Sequence, residues 1–443
     1  MYYPTPREFI ANLSHWGFDY QVWVANRAFL DNELYNTSVA NGWLFPGIDP
    51  EIFLGPALNL SIPEAYAYFK EKLAIFPQLG VKGYKIDRGE EGEMPVWEQN
   101  YQMDLFIQLC YETMDEHWGE SNFYDFARSA VDRSRAKTAV WNGDSHASAN
   151  FSGLQNTVAS GIRAGLIGFS QWGSDTGGYI RGLDDPIEDL WARWMWFSTF
   201  SPVYEIMIGT NHTPWYPPYS ADLVSVLKTT ANLHHDLLTY IKSYTYQASQ
   251  TGIPVIRAAF LETPSDAKAL SLEDSYFFGS EMFIAPIVTS DGERSVYFPG
   301  TPQDQYLEYF NKRSVHTGGS TVNVSMDVHS VPAYVKAGAI VPRGDIFQFN
   351  NKWTKDWKPE LTVELYPSSE VKTSTFKYYN GESKEVALIT MAIDELSGCV
   401  VVDYGALGVN GTFVLYSKHG AHNATLHAGG ESVNFGQVTS LFG

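Results

Sequence analysis

Three aspartates close three apolar runs. Asp87 ends Val81-Lys82-Gly83-Tyr84-Lys85-Ile86, Asp144 ends Thr138-Ala139-Val140-Trp141-Asn142-Gly143, and Asp175 ends the run from Leu166 to Ser174. Each run reads as a buried strand, so each carboxylate falls where a parallel strand breaks into a loop. Two carboxylates brought to one mouth are what cleavage of a glycosidic bond requires, one acting on the sugar and the other handling the leaving group's proton.

The elements that must position them alternate. A helix from Pro6 to about Ser14 precedes a strand at Tyr20–Asn26, and the polar stretch from about Leu30 to Leu60 reads as an insertion loop. Helical spacing predicts helices over Pro63–Phe76, Glu98–Trp118, Gln155–Ala164, Ile187–Phe200 and, as one long element, Ala221–Gln247. Strands are expected near residues 20, 82, 124, 139, 167 and 204, which makes six βα units. The expected fold is therefore α/β: an incomplete (β/α)8 barrel over residues 1–252, followed by β-sandwich blocks at 253–344 and 345–443, where short alternating strands replace helices.

Bulk composition narrows the partners. The 443 residues carry a formal net charge of −20, which disfavours nucleic acid and anionic membrane alike. Aromatics make up 15% of the chain, an excess compatible with a large core or with a sugar-binding groove. Cys110 and Cys399 are the only cysteines, so neither a disulfide framework nor a cysteine metal site is indicated. No run is long enough to span a membrane, and Met1 is followed by polar residues rather than a signal peptide. Eight Asn-x-Ser/Thr sequons, at Asn12, Asn36, Asn59, Asn150, Asn211, Asn323, Asn410 and Asn423, nevertheless point toward a secretory route, with any export signal upstream of Met1 or removed.

Several motifs then resemble one family, glycoside hydrolase family 31, in order and spacing. They are Lys85-Ile86-Asp87-Arg88-Gly89-Glu90, Phe126-Ala127-Arg128-Ser129-Ala130, Val140-Trp141-Asn142-Gly143-Asp144 and Trp172-Gly173-Ser174-Asp175-Thr176-Gly177-Gly178. Phe278–Pro286 and Val331–Ile340 match its C-terminal region. The resemblance implies a retaining α-glucosidase or α-xylosidase with Asp87 as nucleophile and Asp144 as general acid/base. It sets Lys85 and Arg128 beside the nucleophile and Asp175 near the sugar, although Asp-Thr-Gly-Gly also reads as an ordinary turn; Trp141 and Trp172 read either as sugar platforms or as core, and Glu90 either as tuning Asp87 or as part of a solvated acidic run. Cations at Lys85 and Arg128 favour an ionised Asp87, and Trp141 near Asp144 favours a protonated acid. In the retaining mechanism the two carboxyl groups lie about 5–5.5 Å apart and the reaction passes through a covalent glycosyl-enzyme. No metal or organic cofactor is implied. His234-His235 and His146 lack a zinc-protease spacing, and Gly168–Gly173 lacks that of a nucleophile elbow.

The chain departs from the family twice. Glu205-Ile206-Met207-Ile208-Gly209 stands where the family has Arg-x-His-Gly, leaving that histidine contact absent or supplied by His212. The family's N-terminal sandwich and first two barrel strands have no counterpart, so a complementing N-terminal chain or segment is expected as a partner beside the carbohydrate substrate. Six strands without it leave open edges, poor solubility and negligible activity. A transglycosidase and a non-catalytic carbohydrate-binding or scaffold fragment are the alternatives to hydrolysis.

Overall fold

The computed structural model describes residues 5–29, 32–46, 55–87, 94–120, 122–180, 186–207, 213–346, 358–381, 383–394, 396–438 and 441. They fall into two compact units, which meet in sequence between Gly143 and Asp144.

In the first unit four parallel strands lie side by side in chain order: β1 (Val22–Ala25), β2 (Tyr84–Asp87), β3 (Phe126–Ala127) and β4 (Ala139–Trp141). Strand β2 is buried on one face only. Tyr84 and Ile86 join the core while Lys85 and Asp87 stay half-exposed, the period-2 alternation that a pleated strand imposes. The core face meets the helix Gln99–Trp118 through Met103, Phe106, Ile107, Cys110 and Met114, spaced as one side of a helix. Phe106 stacks on Phe69 of the helix Pro63–Leu73 at 5.8 Å. Each such side chain contributes about 1.5–3 kcal/mol on burial, and together they hold the strand that carries Asp87.

One buried carboxyl group works against this core. Asp125 is 3% exposed; its Oδ1 accepts the Tyr84 N–H at 2.8 Å, and its Oδ2 meets no partner among the described residues. Burial pushes its pKa from 3.8 up to about 7. Because the folded value lies above the unfolded one, the native state holds the proton more tightly. The resulting stability is full below about pH 4 and is lost as pH rises to about 7, on the order of 4 kcal/mol in all. Asp125→Asn keeps an acceptor for Tyr84 and removes the titration. Its denaturation midpoint is expected to exceed the parent's at pH 8 and to converge with it near pH 4; a gap independent of pH would refute the assignment.

The second unit opens with the helix Ser152–Leu166 and the two-residue strand β5 (Trp172–Gly173). The strand expected near residue 167 is thus mostly helix and loop. Of the strand expected near residue 204, the described residues 202–207 form only an isolated parallel bridge between Glu205 and Asp175. The long helix breaks at Leu237 into Ala221–Asp236 and Leu238–Thr251. The second piece sets Tyr240 and Tyr246 against Phe376 and Tyr379, ring on ring, at 5.8 and 4.2 Å. In the first unit, Pro63–Phe76 likewise divides at Ala74, and the expected insertion loop contains a helix, Glu33–Asn41, whose N-cap Asn32 accepts the Tyr35 N–H.

Beyond residue 252 the chain is mainly β. A six-stranded sheet, ordered Val315–Thr317, Gln305–Glu308, Ala333–Lys336, Met282–Ile284, Tyr276–Phe278 and Ile256–Ala258, packs around Phe277, Phe283, Phe298, Tyr306 and Tyr334. Two four-stranded sheets follow. One of them takes in Ile340–Arg343, which pairs with Leu361–Leu365, so the expected boundary at 344 separates two strands of a single sheet.

Candidate active site

Parallel pairing puts partnered residues on the same face of a sheet. Trp23 pairs with Lys85, Lys85 with Phe126, and Phe126 with Ala139. Counting by twos along each strand brings Trp23, Lys85, Asp87, Phe126, Arg128 and Trp141 onto the face opposite the helices. This arithmetic assembles the site.

Both oxygens of Asp87 are held. Trp23 Nε1–H donates to Oδ2 at 2.8 Å, and Arg128 Nε lies 3.0 Å from Oδ1. The Asp87 and Arg128 side chains are 16% and 11% exposed, open enough for a ligand and enclosed enough for the ion pair to escape most solvent screening. The Lys85 ammonium sits over the Trp141 ring, 4.4 Å from its centroid, with the Phe126 ring 5.9 Å away. Trp141 is 3% exposed and tilts against Phe126 at 5.0 Å.

The other expected residues lie further along the chain. Asp144 is exposed, three residues beyond β4. The backbone reaches it through Gly143 at φ +71, a left-handed turn that favours glycine. Immediately after it, the Ser145 carbonyl accepts the N–H groups of Tyr179 and Ile180, which ties the Asp144 loop to the loop following Asp175. Gly178 makes that approach possible, because a Cβ there would lie 2.9 Å from the Ala147 nitrogen. Asp175 itself is 2% exposed, with its backbone bridged to Glu205.

Trp172, readable from the sequence as a sugar platform or as core, is enclosed. It is 3% exposed, packs edge-on to Phe197, and lies so close to Gly161 that a Cβ there would meet its ring at 2.9 Å. The accessible indole beside Asp87 is Trp23, at 45% exposure, a residue that sequence reasoning placed in a strand and gave no role. The parallel register was the missing signal. Glu90 and His212 lie outside the described residues. His234 is a packing histidine: its Nδ1–H donates to the Thr199 carbonyl at 3.0 Å, its ring meets Tyr204, and burial lowers its pKa to about 4.

Residues 1–245 match the model of the glycosyl hydrolases family 31 TIM-barrel domain, and residues 252–341 match that of the glycosyl hydrolase family 31 C-terminal domain. The chain belongs to glycosyl hydrolase family 31. It is 24% identical over 362 residues to an α-xylosidase of Emericella nidulans, covering 77% of this chain and 46% of the relative. It is 25% identical over 297 residues to an isomaltosyltransferase of Sporosarcina globispora, covering 62% of this chain and 26% of that one. In fold it resembles the cycloalternan-forming enzyme of Listeria monocytogenes, solved with a pentasaccharide substrate. That match has a TM-score of 0.84 at 20% identity, covering 98% of this chain and 47% of that one. The chain thus spans about half the length of the α-xylosidase and of the Listeria enzyme, and less of the transferase. Its fold is the family's TIM barrel followed by a C-terminal domain.

Proposed function

We propose that the chain carries the catalytic carboxylates of a retaining α-glycosidase acting on terminal α-linked glucose or xylose. The observation that carries this reading is the Asp87 carboxylate at the end of β2, with one oxygen on the Trp23 indole and the other on the Arg128 guanidinium. Such a carboxylate is oriented for attack on an anomeric carbon rather than left to rotate. Attack forms a glycosyl ester on Asp87 while Asp144 gives its proton to the departing oxygen. Water, deprotonated by Asp144, then attacks the same carbon, so the configuration is inverted twice and finally retained. Family membership supports the pairing of Asp87 with Asp144.

The test is the anomer of the first-formed product, followed by proton NMR before mutarotation. The α-anomer is expected; a β-anomer formed first would exclude a covalent intermediate on Asp87. A second reading keeps the intermediate and changes the acceptor: relatives of this chain include the isomaltosyltransferase, so a sugar hydroxyl replaces water when acceptor is abundant. The ratio of transfer product to free sugar at high acceptor concentration separates the two.

Trp23 supplies a second check. Trp23→Phe keeps a ring on the face and removes only the Nε1–H donor. A hydrogen bond to a charged group is worth about 1.5–3 kcal/mol, so kcat is expected to fall roughly 10- to 100-fold with little change in KM. Parental kcat would show the contact to be incidental.

Among the described residues β1 pairs with β2 and leaves its other edge open. We place a complementing segment along that edge, where a further strand satisfies the exposed backbone groups. Co-purification with the chain is its check.

A further inference from the structure

The asparagines that precede serine or threonine by two positions remain unexplained by the catalytic reading. With 21 asparagines and 63 serines and threonines among 443 residues, chance places about three such triplets in the chain. There are eight, none with proline at the middle position. Their placement is equally uneven. Asn12, Asn36, Asn150, Asn323, Asn410 and Asn423 are all exposed, on helices, strands and loops of both units. Asn323 stands on the outward face of the strand Thr321–Ser325, where exposed and half-buried residues alternate. Asn423 stands in Gly420–Leu426, at the edge of its four-stranded sheet.

Asn59 is the contrast. It is half-buried, and its Oδ1 accepts the Ser61 N–H, the Ser61 hydroxyl and, at 3.1 Å, the amide of Gln102. Gln102 is fully buried and in turn accepts the Leu60 N–H at 2.8 Å. These bonds, all made to Oδ1, hold the amide against Gln102, and the half-buried Asn59 offers its Nδ2 less freely to a bulky oligosaccharide than the six exposed asparagines do.

We propose that the six exposed asparagines carry N-linked glycans and that Asn59 does not. The chain therefore passes through a compartment in which an oligosaccharide on a lipid diphosphate is available. In the transfer, the side-chain nitrogen attacks the anomeric carbon of that donor. The carbon–oxygen bond to the diphosphate breaks, the carbon–nitrogen bond forms, and the amide proton leaves with the diphosphate. The attached chain then projects into solvent from a surface already wet.

The experiment uses the protein purified from the organism that makes it. Enzymatic release of N-glycans in heavy-oxygen water converts each occupied asparagine to a labelled aspartate, which peptide mass spectrometry locates. Label is expected at the six exposed positions and absent at Asn59. Unlabelled asparagine at all six would overturn the proposal, and label on Asn59 in the folded enzyme would overturn the burial rule that selects among the sites. Thr425→Ala, which leaves Asn423 in place, is expected to abolish label at Asn423 alone; label surviving there would show that the triplet is not what is recognised.

Discussion

Asp87→Ala is expected to lower kcat on the order of 10⁴- to 10⁶-fold in the active enzyme, the scale on which removal of a nucleophile that forms a covalent intermediate is felt. The cavity left between Trp23 and Arg128 is lined by an N–H donor and a cation. A small anion such as azide or formate fits that lining. It is expected to restore part of the rate by attacking the anomeric carbon from the same side, and with azide the product is a β-glycosyl azide. Full activity without an added anion would remove Asp87 from the nucleophile's role. Rescue with retained configuration would assign the attack to another group.

Asp144→Ala is expected to divide substrates by their leaving groups. A sugar hydroxyl is a poor leaving group and needs a proton as the bond breaks, so its release should slow on the order of 10²- to 10⁴-fold. A nitrophenolate leaves unaided, and formation of the glycosyl-enzyme from it should be nearly unchanged. Pre-steady-state measurement of the aryl burst isolates that step from the later attack by water, which also uses Asp144. Equal losses in the burst and in sugar release would make Asp144 structural. Its exposed position, one residue beyond a glycine at positive φ, suits a group that must reach a substrate rather than pack against a core.

What the sequence disclosed and what it hid follow from how local each signal is. Asp87 and Arg128 were legible because an apolar run ending in a charged residue is a local pattern, and several such patterns in one order define a family. Trp23 was hidden because an aromatic residue in a strand looks the same whether it faces a core or a cleft. Only pairing with Lys85, 62 positions away, gives it a face. Whether Trp172 faces a sugar or joins the core is undecidable from the sequence for the same reason, since the closeness of Gly161 to its ring is a tertiary fact. The break at Leu237 was invisible because apolar periodicity continues across it, and the tyrosines that need the altered direction meet Phe376 and Tyr379 more than a hundred residues later. The helix Glu33–Asn41 was readable in principle. Asn32 before it and Gly42 at φ +67 after it are ordinary capping residues, outweighed by the polar composition around them.

The shared strand Ile340–Arg343 carries a consequence for how the C-terminal half is put together. Its partner Leu361–Leu365 bears Glu364, 1% exposed, which accepts from Arg343 at 3.0 Å and lies 3.5 Å from the Lys312 ammonium. A seam made of one sheet and one buried ion cluster does not open in stages, because parting the blocks would strand a charge without its counterions. The match to the family's C-terminal domain ends at residue 341, inside that strand. The residues beyond it are therefore no detachable appendage. They are expected to melt in one transition with the block before them, which calorimetry would show as a single peak, and recombination between homologues would then have to exchange the two as one cassette.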